Sequence, residues 1–312
     1  MPWIRRGLLL LPLLLAGCGR EPADPHGLAA ADTFYFAGPD DLQTLFRDAD
    51  YTVEQWDRGL REVPRFYLAR VPSRWRHEVA PSLPTDLKKR YFFLVYTPLV
   101  LAANEEIRAD RERLLRLLKR RRLDDRDLTW LRDLATRYGL AGPDGAILDD
   151  ELRERLRRRV DIVPPSLALA QAAIESGWST SRFTDEGNAL FGQWTWDDDD
   201  SLAPQRRRER LGDYAIKAFA SPAESVAAYM RNLNTHPSYR AFRRQRERLR
   251  LEGRRPDGLV LAPTLSPYAE TGDEYVETLL AVMKANDLAP ADRATLRPMA
   301  PLMLVPVGEG AD

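Results

Sequence analysis

Apolar residues recur at helical spacing along most of the chain. After Thr85, residues Leu87, Tyr91, Leu94, Val95, Leu99 and Ala102 share one face, which predicts a helix with Thr85 as N-cap and a kink at Pro98. The spacing continues through a highly charged stretch, 105–122, carried by Ile107, Leu114, Leu115 and Leu118. Two further helices are predicted over 127–138, stopped by Gly139, and over 149–160. Pro164-Pro165 then opens a helix of another kind. Residues 166–176 read S-L-A-L-A-Q-A-A-I-E-S, apolar almost all round, so this helix should be buried and closely packed. Ser221-Pro222-Ala223-Glu224 and Thr271-Gly272-Asp273-Glu274 read as capping boxes that start two more helices, the second stopping near Asn286. Strand signals are few, and 214–219 (Y-A-I-K-A-F) is the best by alternation. The Pro-spaced aromatic stretch from Phe34 to Trp75 reads as short helices and loops, and the chain after Pro290 as an irregular tail. The pattern predicts a mainly α protein with a small β element.

The N-terminus adds a different signal. Arg5 and Arg6 precede an apolar run over 8–16 that is too short to span a bilayer, so it reads as an export signal. The run ends in Leu15-Ala16-Gly17-Cys18, which resembles a bacterial lipobox, cut before a cysteine that becomes lipid-modified. The competing reading is a plain signal peptide with an incidental thiol, but the chain's single cysteine falls at the position a lipobox requires. Acyl chains on Cys18 would anchor the protein to a membrane. Gly19, rather than Asp, follows the cysteine, which points to the inner face of the outer membrane, facing the periplasm. Residues 19–31 are rich in Gly, Ala, Pro and Asp and read as a tether.

Composition narrows the chemistry. One cysteine among 312 residues rules out an internal disulfide and a four-thiolate zinc site. His26, His77 and His236 are scattered, and the acidic run 197–200 lacks the spacing of a calcium loop, so no metal and no cofactor is expected. With 47 basic and 47 acidic residues the net charge is zero, which argues against nucleic acid as a partner. The Arg-rich stretches 153–159 and 240–250 read as solvated helix faces.

Glu175 is the residue to explain. A carboxyl group at the end of an apolar helix, followed by Ser176-Gly177-Trp178, is partly desolvated, and desolvation raises its pKa. A carboxylic acid still protonated near neutral pH can donate a proton to a leaving oxygen, as a glycosidase general acid does. The plainer reading is a surface glutamate at a helix end.

The residues from Ala170 to Phe183 (A-Q-A-A-I-E-S-G-W-S-T-S-R-F), followed by Asn188-Ala189-Leu190-Phe191-Gly192, resemble the core motif of bacterial peptidoglycan glucosaminidases. That group is glycoside hydrolase family 73, and the likeness is greatest to its Bax-type branch. It continues through Phe219-Ala220-Ser221-Pro222, Tyr229, Asn232-Leu233-Asn234-Thr235-His236-Pro237 and the Tyr268-Ala269-Glu270 and Tyr275-Val276 elements. Lys88-Lys89-Arg90-Tyr91-Phe92 and Asn104-Glu105-Glu106-Ile107 resemble the helical region that precedes the Bax-type core. Together the likeness spans roughly 60–288.

The resemblance implies a lysozyme-like fold, with a helical lobe, a small β-lobe and an N-terminal helical extension. It implies hydrolysis of β-1,4 bonds in peptidoglycan glycan strands, with Glu175 as general acid and Tyr268 beside it. Trp178, Asn188, Phe191, Gly192 and Tyr275 would bind substrate. Phe191 and Trp178 could equally be core aromatics, and Asn188 a turn cap. For the second carboxylate Glu209 is the candidate, although Arg206-Arg207-Arg208-Glu209-Arg210 also reads as a solvated loop, and the substrate's N-acetyl group could serve instead. The implied organisation is a signal peptide at 1–17, the lipidated cysteine and tether at 18–59, a helical region at 60–160, a catalytic domain at 161–288 and the tail at 289–312. The expected molecule is a monomer whose partners are peptidoglycan and, through Cys18, a membrane. Two alternatives share the motif: a lytic transglycosylase, and a non-catalytic peptidoglycan-binding lipoprotein.

Overall fold

A computed structural model describes residues 31–140, 149–195, 201–202 and 215–308. Cys18, the acidic run 197–200 and Glu209 lie outside the described residues.

The chain opens with strand β1 (Asp32–Phe36), helices α1 (Pro39–Asp48) and α2 (Val53–Asp57), and strands β2 (Glu62–Val63) and β3 (Phe66–Leu68). A π-helical turn (Trp75–Val79) and α3 (Ala80–Ser82) lead into α4 (Thr85–Leu118), a helix of 34 residues. Then come α5 (Asp125–Arg137), α6 (Asp150–Arg159), α7 (Pro165–Glu175) and α8 (Arg182–Gly187). Short strands β4 (Trp194–Thr195), β5 (Ser201–Leu202) and β6 (Ala215–Lys217) follow. Helices α9 (Pro222–Thr235), α10 (Arg240–Leu251), α11 (Gly258–Leu261) and α12 (Asp273–Ala285) complete the helical body, with 3-10 turns at Pro237–Tyr239, Ala262–Tyr268 and Ala289–Arg293. Strands β7 (Thr295–Leu296) and β8 (Leu302–Pro306) close the chain. This is the expected fold class, mainly α with a small antiparallel sheet in the order β4-β6-β5.

Local chemistry explains most of the helix ends. Asp124 and Asp149 cap α5 and α6 by accepting the Asp127 and Leu152 N–H groups. Ser221 caps α9 with Pro222 at its first position, as the sequence predicts. The second expected capping box does not form. Gly272 occupies the N-cap of α12 with φ +57°, and no side chain caps that end. Pro98 does not interrupt α4, which runs unbroken through it.

Three segments differ in content from the sequence reading. The span 18–59 is not wholly tether, because β1, α1 and α2 bring Phe36, Leu42, Phe46 and Tyr51 into the main core. The region 60–160 is not wholly helical, because it holds β2 and β3. The tail 289–312 is not irregular: β8 runs parallel between β1 and β3, and β7 pairs with β2. These strands are short, and their partners lie more than 200 residues away in sequence, so no local hairpin signal announces them.

The main core packs the first half of α4 against α7, α9 and α12. A second cluster, including Leu114, Leu134, Leu156 and Val160, joins the far end of α4 to α5 and α6. Helix α7 is buried from Pro165 through Ala173. Its first turn is satisfied from outside, because Asp292 accepts the Ser166 N–H at 2.8 Å and the Gly258 N–H at 2.9 Å. Burial pushes the Asp292 carboxyl up to about 6.

Candidate active site

Helix α7 ends by carrying Glu175 out of the core to a half-buried position. A left-handed turn then reverses the chain, with Gly177, Trp178 and Ser179 at φ +57°, +62° and +64°. Two of these are not glycine, so the turn needs support from outside itself. Ser176 provides part of it, donating from Oγ to the Ala172 carbonyl at 2.6 Å and accepting the Ser179 N–H at 2.9 Å. Ser179 Oγ reaches the Tyr96 hydroxyl at 2.8 Å. The Trp178 ring packs edgewise on Phe92 and Phe93 with Lys89 Nζ above it, and Trp75 Nε1 donates to the Trp178 carbonyl. The Ser-Gly-Trp that follows Glu175 therefore locks the end of the helix onto α4.

Around Glu175 stand four tyrosines from four other elements of the chain. Tyr275 on α12 donates its hydroxyl proton to Glu175 Oε1 at 2.8 Å. Tyr268 stacks on Tyr275 with ring centroids 5.5 Å apart and donates to the Phe191 carbonyl at 3.4 Å. Tyr239 and Tyr229 lie against Tyr268, at 5.9 and 6.5 Å between centroids. Burial pushes the Glu175 carboxyl above the usual range, and the Tyr275 hydrogen bond, which favours the carboxylate, opposes that rise. A partly desolvated carboxyl at the rim of a phenolic wall is suited to protonating a glycosidic oxygen, and the half-buried Tyr268 is the ring of that wall that reaches the surface.

The other expected site residues are placed as follows. Tyr275, expected to bind substrate, touches the Glu175 carboxylate, whereas Tyr268 sits one ring further out. Phe191 is buried and stacks on Tyr229 at 3.9 Å. Asn188 is the left-handed C-cap of α8, and its amide is engaged on both sides: Oδ1 accepts the Val71 N–H at 2.9 Å and Nδ2 donates to the Phe219 carbonyl at 3.0 Å. That clasp ties the N-terminal segment to the exit of β6. Gly192 also takes a left-handed conformation, with open space around it. The Trp178 ring belongs to the α4 contact just described, so the structure groups Tyr268, Tyr275 and Phe191 with Glu175 and gives Trp178 and Asn188 other partners. Glu209 is outside the described residues. Among the described residues, no three His, Cys, Asp or Glu side chains gather as a metal site.

Sequence reasoning missed Gln171. It is the one amide in an apolar helix, one turn before Glu175 and on the same face, so its position carried a signal. Fully buried, it donates from Nε2 to the Tyr275 hydroxyl at 2.9 Å and accepts the Tyr229 hydroxyl on Oε1 at 2.6 Å.

Residues 151–288 match the glucosaminidase family model, described as mannosyl-glycoprotein endo-beta-N-acetylglucosaminidase. The match begins earlier than the expected boundary at 161 and takes in α6. The chain is 31% identical to Protein bax of Escherichia coli (strain K12) over 201 residues, 64% of this chain and 70% of that protein. A search of solved structures finds the catalytic domain of the autolysin Auto from Listeria monocytogenes, 17% identical, with a TM-score of 0.35, covering 70% of this chain and 96% of that one. From the family match over the Glu175 helix and its tyrosine wall, and from the identity to Bax, the chain belongs to the Bax-like glucosaminidases and is a glycoside hydrolase.

Proposed function

We propose that this protein is a lipid-anchored endo-β-N-acetylglucosaminidase that hydrolyses β-1,4 bonds in peptidoglycan glycan strands, with Glu175 as the general acid. The observation that carries the proposal is the Glu175 carboxyl itself. It ends a buried apolar helix, its pKa is raised by that burial, and it faces a wall of tyrosines. Membership of the glucosaminidase family supports the substrate class. Cys18, at the end of the lipobox-like run, would carry the acyl anchor and hold the enzyme at the inner face of the outer membrane. No described helix is long and apolar enough to cross a membrane. The protein would act there as a monomer, with Glu209 or the substrate's own N-acetyl group assisting Glu175.

Digestion of purified peptidoglycan by residues 19–312 tests the proposal, with product ends identified by mass spectrometry. Reducing N-acetylglucosamine ends are expected. Glu175→Gln should lower the rate by about 10²–10⁴-fold, the usual contribution of a general acid. Anhydro-muramyl ends would replace hydrolysis with transglycosylation. Binding without cleavage would leave only a wall-binding role, and a fully active Glu175→Gln variant would remove Glu175 from the mechanism.

A further inference from the structure

The three hydrogen bonds around Gln171 form a chain with a direction. Tyr229 Oη donates to Gln171 Oε1, Gln171 Nε2 donates to Tyr275 Oη, and Tyr275 Oη donates to Glu175 Oε1. A tyrosine hydroxyl has one proton, and an amide has a donor end and an acceptor end. The opposite direction needs the Gln171 amide turned over, so that Nε2 meets Tyr229 and Oε1 meets Tyr275. Tyr275 would then give its proton to Gln171, and an ionised Glu175 would lose its donor.

Tyr229 decides between the two. It is fully buried, and among the described residues its hydroxyl has Gln171 Oε1 as its acceptor. If the amide turned over, the Tyr229 proton would be stranded in the core, where a lost partner is costly. The far end of the chain therefore sets the polarity of the near end. We propose that Tyr229 and Gln171 are positioning residues of the active site: they hold the single proton of Tyr275 on Glu175 Oε1 and leave Oε2 as the oxygen that carries and delivers the acid proton. This rests on the general-acid reading of Glu175 for its catalytic meaning, though not for its geometry.

The titratable groups that sense Glu175 from the surrounding elements are Tyr275 on α12, Tyr229 on α9, Tyr239 in the turn before α10 and Tyr268 in the turn before α12. Burial raises all four, Tyr239 to about 12, so none exchanges its proton across the neutral range. A titration observed there belongs to Glu175.

The test is a double-mutant cycle on Tyr229→Phe and Tyr275→Phe in residues 19–312, with cooperative thermal melts confirming that each variant folds. The readout is the titration of the Glu175 carboxyl carbon by NMR on glutamate-labelled protein, assigned with Glu175→Gln. Tyr275→Phe removes a bond that favours the carboxylate, so the titration should move up. Tyr229→Phe removes a hydroxyl that does not bond Glu175, frees the Gln171 amide to turn, and should also move it up. In the Tyr275→Phe background, Tyr229→Phe should add nothing, because the chain is already cut. The alkaline limb of kcat/KM should follow the same three shifts. An unmoved titration in Tyr229→Phe, or an equal shift in both backgrounds, would overturn the inference. Cleavage surviving in Glu175→Gln would instead remove the general-acid reading, while the NMR cycle would still report on the hydrogen-bond chain.

Discussion

Asp161 and Arg246 meet inside the protein, with relative exposures of 2% and 0%. Arg250 grips the same carboxylate with two hydrogen bonds, at 2.8 and 3.2 Å, and Arg111 approaches it at 3.5 Å. Arg246 also donates to the carbonyls of Arg158, Asp161 and Ile162, the residues that lead from α6 to α7. Burial pushes the Asp161 carboxyl up, but the three guanidinium groups outweigh it and hold the carboxyl below its usual range. Burial pushes Arg246 down to about 10, which leaves it charged at neutral pH. Removing the carboxylate would leave a buried guanidinium without its counter-ion. Asp161→Ala should therefore cost about 3–5 kcal/mol, read from the urea unfolding midpoint at pH 7. Because the Asp161 pKa is depressed by folding, its stabilisation is present at neutral pH and is lost as pH falls through the folded value. The gap between wild type and variant should accordingly narrow in acid. The sequence reads 240–250 as a solvated face, which holds for Arg240, Arg244 and Arg248 but not for Arg243 and Arg246. Phe242, Arg243, Arg246 and Leu249 form the buried stripe of α10, and two arginines stand where a period count expects apolar residues. Their acceptors are backbone carbonyls elsewhere in the chain, which a pattern of side-chain types cannot display. Glu175 was legible for the opposite reason, because a lone charge at the end of an apolar helix stands out without any knowledge of its partners.

Elements divide in the same way. Helices with a cap written beside them, α5, α6 and α9, and α7 with a proline at its first position, form close to where periodicity places them. The strand β6 likewise falls inside the alternating stretch 214–219. Elements held by distant partners were not legible, and β1, β3 and β8 are the main examples. One residue type links the two cases. Gly258 opens α11 at ordinary negative φ, so its sequence shows no conformational reason for glycine. The reason is contact, since a Cβ there would run into Ser166 Oγ, come within 2.8 Å of Met283 Cε and lie 3.2 Å from the Leu167 backbone nitrogen. Those atoms belong to the start of α7 and to α12, and the same junction holds Asp292 between the Ser166 and Gly258 N–H groups. A backbone atom and a first helical turn have little room to yield. Gly258→Ala should cost about 1–3 kcal/mol by overpacking, measured as a fall in melting temperature. An unchanged melting temperature would mean that α11 can slide off α7 freely.

At the scale of the whole molecule, the family match and the folding unit are different objects. The match covers 151–288, yet the helix that bears Glu175 leans on parts of the chain outside it. Asn104 on α4 closes a buried pair of hydrogen bonds with the Val163 backbone, at 2.8 and 3.1 Å, just before α7 begins. Phe92, Phe93 and Tyr96 on α4 brace the left-handed turn just after it ends. At the other end of the sequence, Asp292 satisfies the first turn of α7, and β8 is the central strand that joins β1 to β3. Cutting the chain to 151–288 would expose the apolar face of α7 and strip the support from both of its ends. Each Leu, Phe or Val so exposed forfeits about 1.5–3 kcal/mol, and a domain is stable by only about 5–15 kcal/mol. Residues 151–288 alone are therefore expected to lack a cooperative thermal transition, to bind a hydrophobic dye and to leave peptidoglycan uncut, whereas residues 19–312 should melt cooperatively and cleave. A shorter cut should already be damaging: a chain ending at Arg297 keeps α7 and Asp292 but loses β8, leaving β1 and β3 with no strand between them, and should melt at a lower temperature. If residues 151–288 instead melted cooperatively and cleaved glycan, the flanking strands and α4 would be accessories, and the reason for their close packing on α7 would have to be sought in regulation or substrate reach rather than in folding.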